Sequence, residues 1–180
     1  MERSRLEPAA GSAGFTTVEV VVVALAIVVI VVAATFGLPT LARERVRGAV
    51  YDMQSMARLA HLEAAKRNRE CRLLLDAATH RVLVVDGMGT GATSDDVVLH
   101  STTLPSAVTF ESPDGAPAIT LEALGGSWFG ATFAQNGTVE TGAGSVVVRS
   151  QGRHGRLTLF AGGASGVAVW NGAGWSDRRH

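Results

Sequence analysis

The stretch Phe15–Leu38, FTTVEVVVVALAIVVIVVAATFGL, decides how this chain is organised. Its single charged side chain is Glu19. As a helix it would be about 36 Å long, which is enough to cross a hydrocarbon core of about 30 Å. Val and Ile usually favour strands, but a strand of this length is implausible, and a single segment in lipid satisfies its backbone only as a helix. The sequence therefore predicts a transmembrane helix over residues 15–38.

A second helical pattern follows this span. Apolar residues recur every three or four positions and predict one buried stripe, made of Val46, Val50, Met53, Ala57, Ala60 and Ala64. The cations Lys66, Arg67 and Arg69 suit a helix C-terminus, where the exposed carbonyl groups attract positive charge. We therefore expect an amphipathic helix continuation over residues 39–69.

From Cys71 onward the pattern changes to short strands separated by Gly, Asn, Asp and Pro. Cys71–Asp76 and Arg81–Asp86 flank a four-residue link and predict a β-hairpin. Further strands are predicted at Val97–Leu104, Ala107–Glu111, Ala118–Glu122, Ser127–Phe133, Ser145–Arg149, Arg156–Phe160 and Gly166–Trp170. The predicted fold class is α+β, with a long N-terminal helix packed on an antiparallel β-sheet domain over 70–180.

Composition excludes several functions. Sixteen Lys and Arg balance sixteen Asp and Glu, and this neutral total argues against a dedicated nucleic-acid binder. Cys71 is the only cysteine, so an intrachain disulfide or a cysteine metal cage cannot form. Gly87–Ala92 matches a loose Gly-x-Gly-x-x-Ala, but no helical pattern follows it, so a hairpin loop is favoured over a dinucleotide site. The five histidines lack metal-ligand spacing. We expect no catalytic residue, cofactor or metal.

Glu19 needs a physical explanation, because an ionised acid inside a bilayer costs about 2.5–3.5 kcal/mol or more. If the chain were cut after Gly14, the new α-amine of Phe15 would lie near Glu19. That amine can pair with the carboxylate within one helix or in a neighbouring helix, where the contact would set the register between subunits. The alternative is that Glu19 lies in the headgroup layer.

The stretch Gly14-Phe15-Thr16-Thr17-Val18-Glu19 before the apolar run resembles the class III, or type IV prepilin, signal. The resemblance implies a prepilin leader over 1–14, leader peptidase cleavage between Gly14 and Phe15, N-methylation of Phe15 and a filament-assembly role for Glu19. A conventional signal peptide cleaved near Ala34 fits less well, because the apolar core is too long and the leader is not net positive.

The helix end ARLAHLEAAKRNR, residues 57–69, resembles that of the type II secretion pseudopilin H and FimT (GspH/FimT) group, and the following hairpin and Gly166–Val169 resemble its C-terminal half. The resemblance implies a type IV pilin-like minor pseudopilin of a type II protein secretion system. Such a subunit lies at or near the pseudopilus tip and assists secretion of folded proteins across the outer membrane. The implied partners are other pseudopilins, a prepilin peptidase, the inner-membrane assembly platform and membrane lipid.

The implied location is a single pass through the bacterial inner membrane, with the C-terminal domain in the periplasm. One feature of the charge pattern conflicts with this topology. The arginines that follow the span, Arg43, Arg45 and Arg47, would by the positive-inside tendency lie in the cytoplasm. The prepilin motif is more specific than a count of three charges, so we keep the periplasmic orientation.

The alternative is a FimT-type minor pilin of a type IV pilus, involved in pilus assembly or DNA uptake. That group's Gly-Arg-x-Arg would fall at Gly166–Val169, which contains no arginine; the nearest substitute is Gly152–Arg156. Residues 73–180 carry six basic against nine acidic residues, so strong nucleic-acid binding is not expected. Weak binding stays open if Arg149, Arg153 and Arg156 form one continuous face. A membrane-anchored periplasmic enzyme would be a third class, and it lacks a catalytic constellation.

Overall fold

The computed structural model describes residues 16–87 and 96–177, and the side chains of all of these except residues 33–39 and 177. The chain divides into two compact units, Met1–Leu38 and Pro39–His180. Helix α1 is assigned over Thr17–Arg67, so it contributes residues to both units. The predicted leader 1–14 and its cleavage and methylation sites, Gly14 and Phe15, lie outside the described residues.

The first unit contains the apolar start of α1. Thr16 precedes the helix, and its Oγ1 accepts a hydrogen bond of 3.3 Å from the backbone N–H of Glu19. Every Val, Leu and Ile from Val18 to Val32 is between 49% and 71% exposed. Within the described residues, no helical stretch is both long enough and apolar enough to cross a membrane. The transmembrane span over 15–38 stays a prediction.

In the second unit α1 buries the stripe that its sequence predicts. All six stripe residues are at most 3% exposed, and Ala49 and Met56 extend the same face. The helix ends at Arg67, two residues before the predicted end, because Asn68 adopts a left-handed φ of 54°. The backbone N–H of Arg69 then bonds the carbonyl of Ala64 at 3.2 Å. Asparagine tolerates this conformation better than most residues and so closes the helix.

Eleven strands follow α1 in the part of the chain that the structure describes. They are β1 Cys71–Asp76, β2 Arg81–Asp86, β3 Val97–Thr103, β4 Thr109–Phe110, β5 Glu122–Gly125, β6 Trp128–Phe133, β7 Val139–Thr141, β8 Gly144–Ser150, β9 Arg153–Leu159, β10 Ser165–Trp170 and β11 Trp175–Asp177. The predicted hairpin is confirmed as β1 and β2, which pair from Cys71↔Asp86 to Asp76↔Arg81. All pairings between these strands are antiparallel.

The strands form two sheets, a division that the sequence pattern did not predict. The first sheet has the order β3-β2-β1-β6-β5, with β7 also paired to β6. The second has the order β11-β10-β9-β8-β4. The predicted strand Ala118–Glu122 is wrong in its bounds: Ile119 makes only an isolated bridge to Val146, and the paired strand begins at Glu122. The short strands β7 and β11 were not predicted.

The core lies between the stripe of α1 and both sheets. Leu73, Leu75 and Phe133 enter it from the first sheet, and Val148 and Leu157 enter it from the second. The helix approaches β9 closely at Gly155, where an added Cβ would lie 2.7 Å from Val46 Cγ1 and 2.8 Å from Val50 Cγ2. The second unit therefore confirms the α+β fold class, with its helix docked on antiparallel strands.

Candidate functional site: a groove beside the helix

Glu19 is the third residue of α1. Thr16, Thr17, Val18 and Glu19 form the Thr-x-x-Glu pattern of a capping box, in which the side chain at the N-cap accepts a bond from the backbone three residues later. The bond from the Glu19 N–H to Thr16 Oγ1 is one half of that arrangement. An acid in the first helical turn also meets the positive end of the helix dipole. Sequence reasoning missed this helix-start role, although the pattern is visible in the sequence.

The three arginines proposed for weak DNA contact do not form one face. In the β8–β9 register Arg149 lies opposite His154, and Ser150 lies opposite Arg153. Successive residues of a strand point to opposite faces of its sheet, so Arg153 shares the face of Gly155, which contacts α1. Arg149 and Arg156 lie on the other face. The continuous basic face that the DNA hypothesis requires is therefore absent at these residues.

Arg149 and Arg156 are also engaged within the chain. Arg149 pairs with Glu111, and this guanidinium lowers the pKa of the Glu111 carboxyl. The Arg156 guanidinium lies 4.5 Å from the ring centre of Trp175, and that ring meets Trp170 edge to face at 5.4 Å. The tryptophans of β10 and β11 thus pack on their own sheet, and Arg156 is held by a cation–π contact.

The basic end of α1 is also paired with acids. Arg67 Nη1 lies 2.9 Å from Oδ2 of the buried Asp86 on β2, and its Nε lies 2.8 Å from Glu63. Arg69 reaches the same Asp86 oxygen at 3.9 Å. These pairs fix the helix end to the hairpin, so the cations that the sequence placed at a helix C-terminus mainly serve the fold.

A groove lies near the other end of the helix segment of the second unit, between its first turns and strands β9 and β10. We call it the arginine groove, after its three charged arginines Arg43, Arg47 and Arg153, and its volume is about 210 Å³. Its floor is apolar and includes Val46, Val50, Val167, Val169 and Trp170. No aspartate or glutamate is among the described residues that line it. The arginine groove can therefore attract an anion while offering an apolar surface beneath it.

A wider and more polar groove continues along α1 from this point. The two share Tyr51 and Val167, and the wider groove adds hydroxyl and amide side chains, including Gln54, Ser145, Thr158 and Ser165. Gln54 Nε2 donates to Ser165 Oγ at 3.4 Å, which links the helix to β10. Arg43 and Arg47 are one helical turn apart and could be grouped from the sequence. The sequence could not show that Arg153 lies beside these two arginines, because that depends on how the helix docks against β9.

The remaining sequence candidates do not converge on chemistry in the described residues. Burial raises the pKa of the Cys71 thiol to about 11, so the thiol is protonated at neutral pH. His61 packs edge to face on Phe133, and burial lowers the pKa of His154. No group of three or more His, Cys, Asp or Glu is placed to hold a metal ion in the ranges 16–87 and 96–177. His180 and residues 88–95, which include most of the Gly87–Ala92 match, lie outside the described residues.

Known proteins are similar to this chain in structure and, separately, in sequence. Among solved structures, the type IV minor pilin FimU of Pseudomonas aeruginosa strain PAO1 is similar in two crystal forms. One matches with 14% identity and a TM-score of 0.48 over 74% of this chain and 94% of FimU. The other matches with 13% identity and a TM-score of 0.47 over 72% and 96%. No curated protein sequence matches this chain significantly. The sequence profile described as "Type II transport protein GspH" matches residues 49–174, which cover most of the second unit, and the chain therefore belongs to the GspH family of pilin-type proteins.

Proposed function

We propose that this chain is a minor pseudopilin of a type II protein secretion system, a structural subunit without catalytic activity at or near the tip of the pseudopilus. In that position it assists the secretion of folded proteins across the outer membrane. Two features support the proposal. The family match covers residues 49–174, and the prepilin-like stretch at residues 14–19 leads into the apolar helix.

The observation that carries the proposal is the exposed apolar surface of the first part of α1. Every large aliphatic side chain from Val18 to Val32 is about half exposed or more. A contiguous apolar surface of this size marks a site that contacts lipid or another protein. A pseudopilin would use it twice, first in the inner membrane as a single pass with the C-terminal domain in the periplasm, and then among the helices of other pseudopilins.

Under the same proposal, the partners of the chain include a prepilin peptidase and the inner-membrane assembly platform. Cleavage between Gly14 and Phe15 would create an α-amine beside the first turn of α1, and methylation of Phe15 would leave that amine charged. Glu19 would then have a cationic partner in its own or a neighbouring subunit. An ionised carboxylate among apolar helices is tolerated when it is paired, so this pairing gives Glu19 its assembly role.

The DNA-uptake role of a FimT-type minor pilin is less well supported. Arg149 is paired with Glu111 and Arg156 lies on Trp175, whereas Arg153 lies on the opposite face of the sheet. DNA affinity depends largely on cations that neutralise phosphates along one surface. Submicromolar binding of the protein to labelled duplex at near-physiological salt, lost in Arg153→Ala/Arg156→Ala, would make DNA uptake the better proposal.

Mass spectrometry of membrane-extracted protein tests the processing step. We expect a chain that begins at Phe15 and carries one added methyl group. Replacing Gly14 with a bulky residue, as in Gly14→Leu, should block cleavage and leave the leader attached. A mature chain that begins near Ala34 would instead identify a conventional signal peptide and overturn the proposal.

Two substitutions of Glu19 separate its assembly role from its role at the helix start. Glutamine retains the hydrogen-bonding groups of a capping box but carries no charge, whereas alanine removes both. If the carboxylate pairs with an α-amine, Glu19→Gln and Glu19→Ala should both lose co-purification with other pseudopilins while membrane insertion and cleavage persist. If Glu19→Gln recovers wild-type amounts of partner subunits, the assembly role is wrong and capping explains the residue.

A further inference from the structure

The arginines that follow the predicted span are not explained by the proposed filament role. Arg43, Arg45 and Arg47 lie on the side expected to face the periplasm, where the positive-inside tendency disfavours them. The structure places two of them, Arg43 and Arg47, in the arginine groove together with Arg153 from β9. Arg43 and Arg47 are therefore candidates for binding a ligand in that groove.

We propose that the arginine groove binds the headgroup of an anionic phospholipid from the membrane leaflet next to the folded domain. This inference rests on the proposed function in one respect, since it requires residues 15–38 to lie in the membrane. The proposed ligand is a phosphate diester that carries a glycerol and acyl chains.

The charges of the groove fit a phosphate. Arg43 and Arg47 are separated by one helical turn and lie on the same side of α1, and Arg153 approaches from the sheet. None of the three forms an ion pair with a described carboxylate. Among the described residues that line the groove, these arginines are the only charged side chains. A guanidinium can hold two phosphate oxygens through parallel hydrogen bonds, so arginine suits this ligand better than lysine.

The floor of the groove fits the apolar part of the same molecule. Val46 and Val50 from α1 and Val167 and Val169 from β10 form an aliphatic surface, and Trp170 lies at its edge. The Arg47 guanidinium lies 5.5 Å from the ring centre of Tyr51, which orients the cation beside that surface. A volume of about 210 Å³ holds a headgroup and its first carbons rather than a whole lipid. The acyl chains would remain in the bilayer.

The position of Arg43 in the chain favours a lipid over an acidic peptide. Arg43 follows Leu38, the last residue of the predicted span, by five residues, and five residues reach at most about 18 Å even when fully extended. The headgroup layer itself is about 5–8 Å thick on each side of the hydrocarbon core. The first wall of the groove is thus tethered within reach of lipid phosphates, whereas an acidic peptide would have to be supplied by a partner.

Native mass spectrometry and tryptophan fluorescence of the full-length chain in a neutral detergent test the proposal. The probes are dioctanoyl phosphatidylglycerol, dioctanoyl phosphatidylcholine and inorganic phosphate, and Trp170, one of the three tryptophans of the chain, is among the residues that line the groove. We expect one phosphatidylglycerol per chain with saturable binding, at least tenfold tighter than phosphatidylcholine. Arg43→Gln/Arg47→Gln should weaken phosphatidylglycerol binding by roughly thirtyfold. Each basic residue near an anionic surface contributes about 1 kcal/mol to binding, and the loss of two such residues corresponds to that factor.

A matched double variant controls for the loss of charge. Lys66→Gln/Arg81→Gln removes two exposed basic side chains that line neither groove, and we expect less than a threefold change in phosphatidylglycerol binding. An equal loss in both double variants would show a general attraction between charges and overturn the proposal. Thermal unfolding of each variant, followed by circular dichroism, verifies that the fold is retained; Arg153→Gln gives a second, independent test from the opposite wall.

Three further outcomes would overturn the lipid assignment. Equal binding of phosphatidylglycerol and phosphatidylcholine would mean that the groove does not distinguish an anionic headgroup from a zwitterionic one. Displacement of phosphatidylglycerol by millimolar inorganic phosphate would identify a site for free anions, and displacement by a glutamate-rich decapeptide at lower concentration would identify a peptide site. If Arg43→Gln/Arg47→Gln still begins at Phe15 and recovers its partner subunits, the pseudopilin proposal stands in each of these cases.

Discussion

Two regions of α1 use the same residue type in opposite ways. Val28, in the first unit, is 59% exposed, and Val50, in the second unit, is 2% exposed. Both are valines on one helix, and their helical propensity is identical. The difference lies in what covers them, because Val50 packs in a core built by two sheets of the same chain, whereas Val28 has no such cover among the described residues.

This comparison separates folding from assembly. The second unit buries the stripe of α1 within the chain, and even its buried Asp86 is paired with Arg67 from the helix end. The apolar side chains of the first unit require contacts from outside the chain, whether from lipid or from other subunits. Substitutions in the second unit should therefore change stability, and substitutions in the first unit should change association.

The largest effect is expected for Val50→Asp. The substitution removes the burial of a valine, worth about 1.5–3 kcal/mol, and places an unpaired carboxylate in the core at a further cost of several kcal/mol. The total is comparable with the 5–15 kcal/mol that stabilises an ordinary domain. We expect the domain to be unfolded, with no cooperative transition in urea when unfolding is followed by circular dichroism.

Val28→Asp is the matched control for this substitution. It introduces the same side chain on the same helix where the native valine is exposed, so the urea midpoint of the folded domain should be unchanged. Recovery of partner pseudopilins should fall instead. If Val28→Asp lowered the midpoint as Val50→Asp does, the separation between folding and assembly would be wrong.

Gly155→Ala tests how closely the helix and β9 approach. A Cβ at this position would lie 2.7 Å from a methyl carbon of Val46 and 2.8 Å from one of Val50, so the helix or the strand must shift. Overpacking of this kind costs about 1–3 kcal/mol. The urea midpoint should fall by a corresponding amount.

Gly48→Ala provides the opposite result on the helix itself. No atom lies within 4 Å of a Cβ at Gly48, and alanine is the better helix former by about 0.5–1 kcal/mol. This substitution should raise the urea midpoint. If Gly155→Ala were also neutral or stabilising, the close contact between α1 and β9 would not be a determinant of the fold.

The stripe and the hairpin could be predicted from the sequence because both depend on local periodicity. Val46 and Val50 are four residues apart, and Cys71–Asp76 and Arg81–Asp86 are separated by a short turn, so neighbouring residues carry the whole signal. The α+β class follows from the order of these patterns. Helix capping by Thr16 is also a local feature, because the Thr-x-x-Glu pattern that indicates it lies within four consecutive residues.

The two sheets and the arginine groove could not be predicted in this way. Which strand lies beside β8 depends on a pairing between Thr109 and Arg149, forty residues apart in the chain. A one-residue change of register would also exchange the faces of Arg149 and Arg153. The groove adds a third condition, since Arg43 and Arg47 meet Arg153 only when the helix docks against β9. Such contacts between distant residues leave no period in a sequence.

The polar contacts of the second unit give a smaller, pH-dependent effect at Asp76. Its carboxylate, at the end of β1, accepts bonds from Thr79 and Ser127 and from the Ala78 N–H. The Ser127 and Thr79 hydroxyl bonds, in that order, lower the pKa of Asp76 to about 2. A carboxyl with a lowered folded-state pKa contributes stability above its unfolded value near 4, and this stability is lost as the pH falls towards 2.

We therefore expect the urea midpoint to fall on acidification from pH 5 to pH 2, and Asp76→Asn to be less stable at neutral pH and less sensitive to acid over this range. Asp114→Asn is the comparison: the Ser112 bond also lowers the pKa of this exposed acid, but less than at Asp76, so the substitution should reduce the acid response less than Asp76→Asn does. A wild-type slope in Asp76→Asn would show that other groups govern the acid response.

The smallest effects on stability are expected at Arg149 of β8 and Arg153 of β9. These two arginines of one sheet allow a contact within the chain to be compared with a side chain that is available to a ligand. Arg149 pairs with Glu111 on the surface, and both side chains are partly exposed. Exposed pairs of this kind contribute about 0–1 kcal/mol, so Arg149→Gln should lower stability by no more than that. Arg153 has no carboxylate partner among the described residues and lines the arginine groove, so Arg153→Gln should change stability by less than about 0.5 kcal/mol. Urea unfolding in detergent without added lipid measures both. A larger loss for Arg153→Gln than for Arg149→Gln would mean that Arg153 holds the domain together, and its place in the groove would then be structural rather than a means of binding.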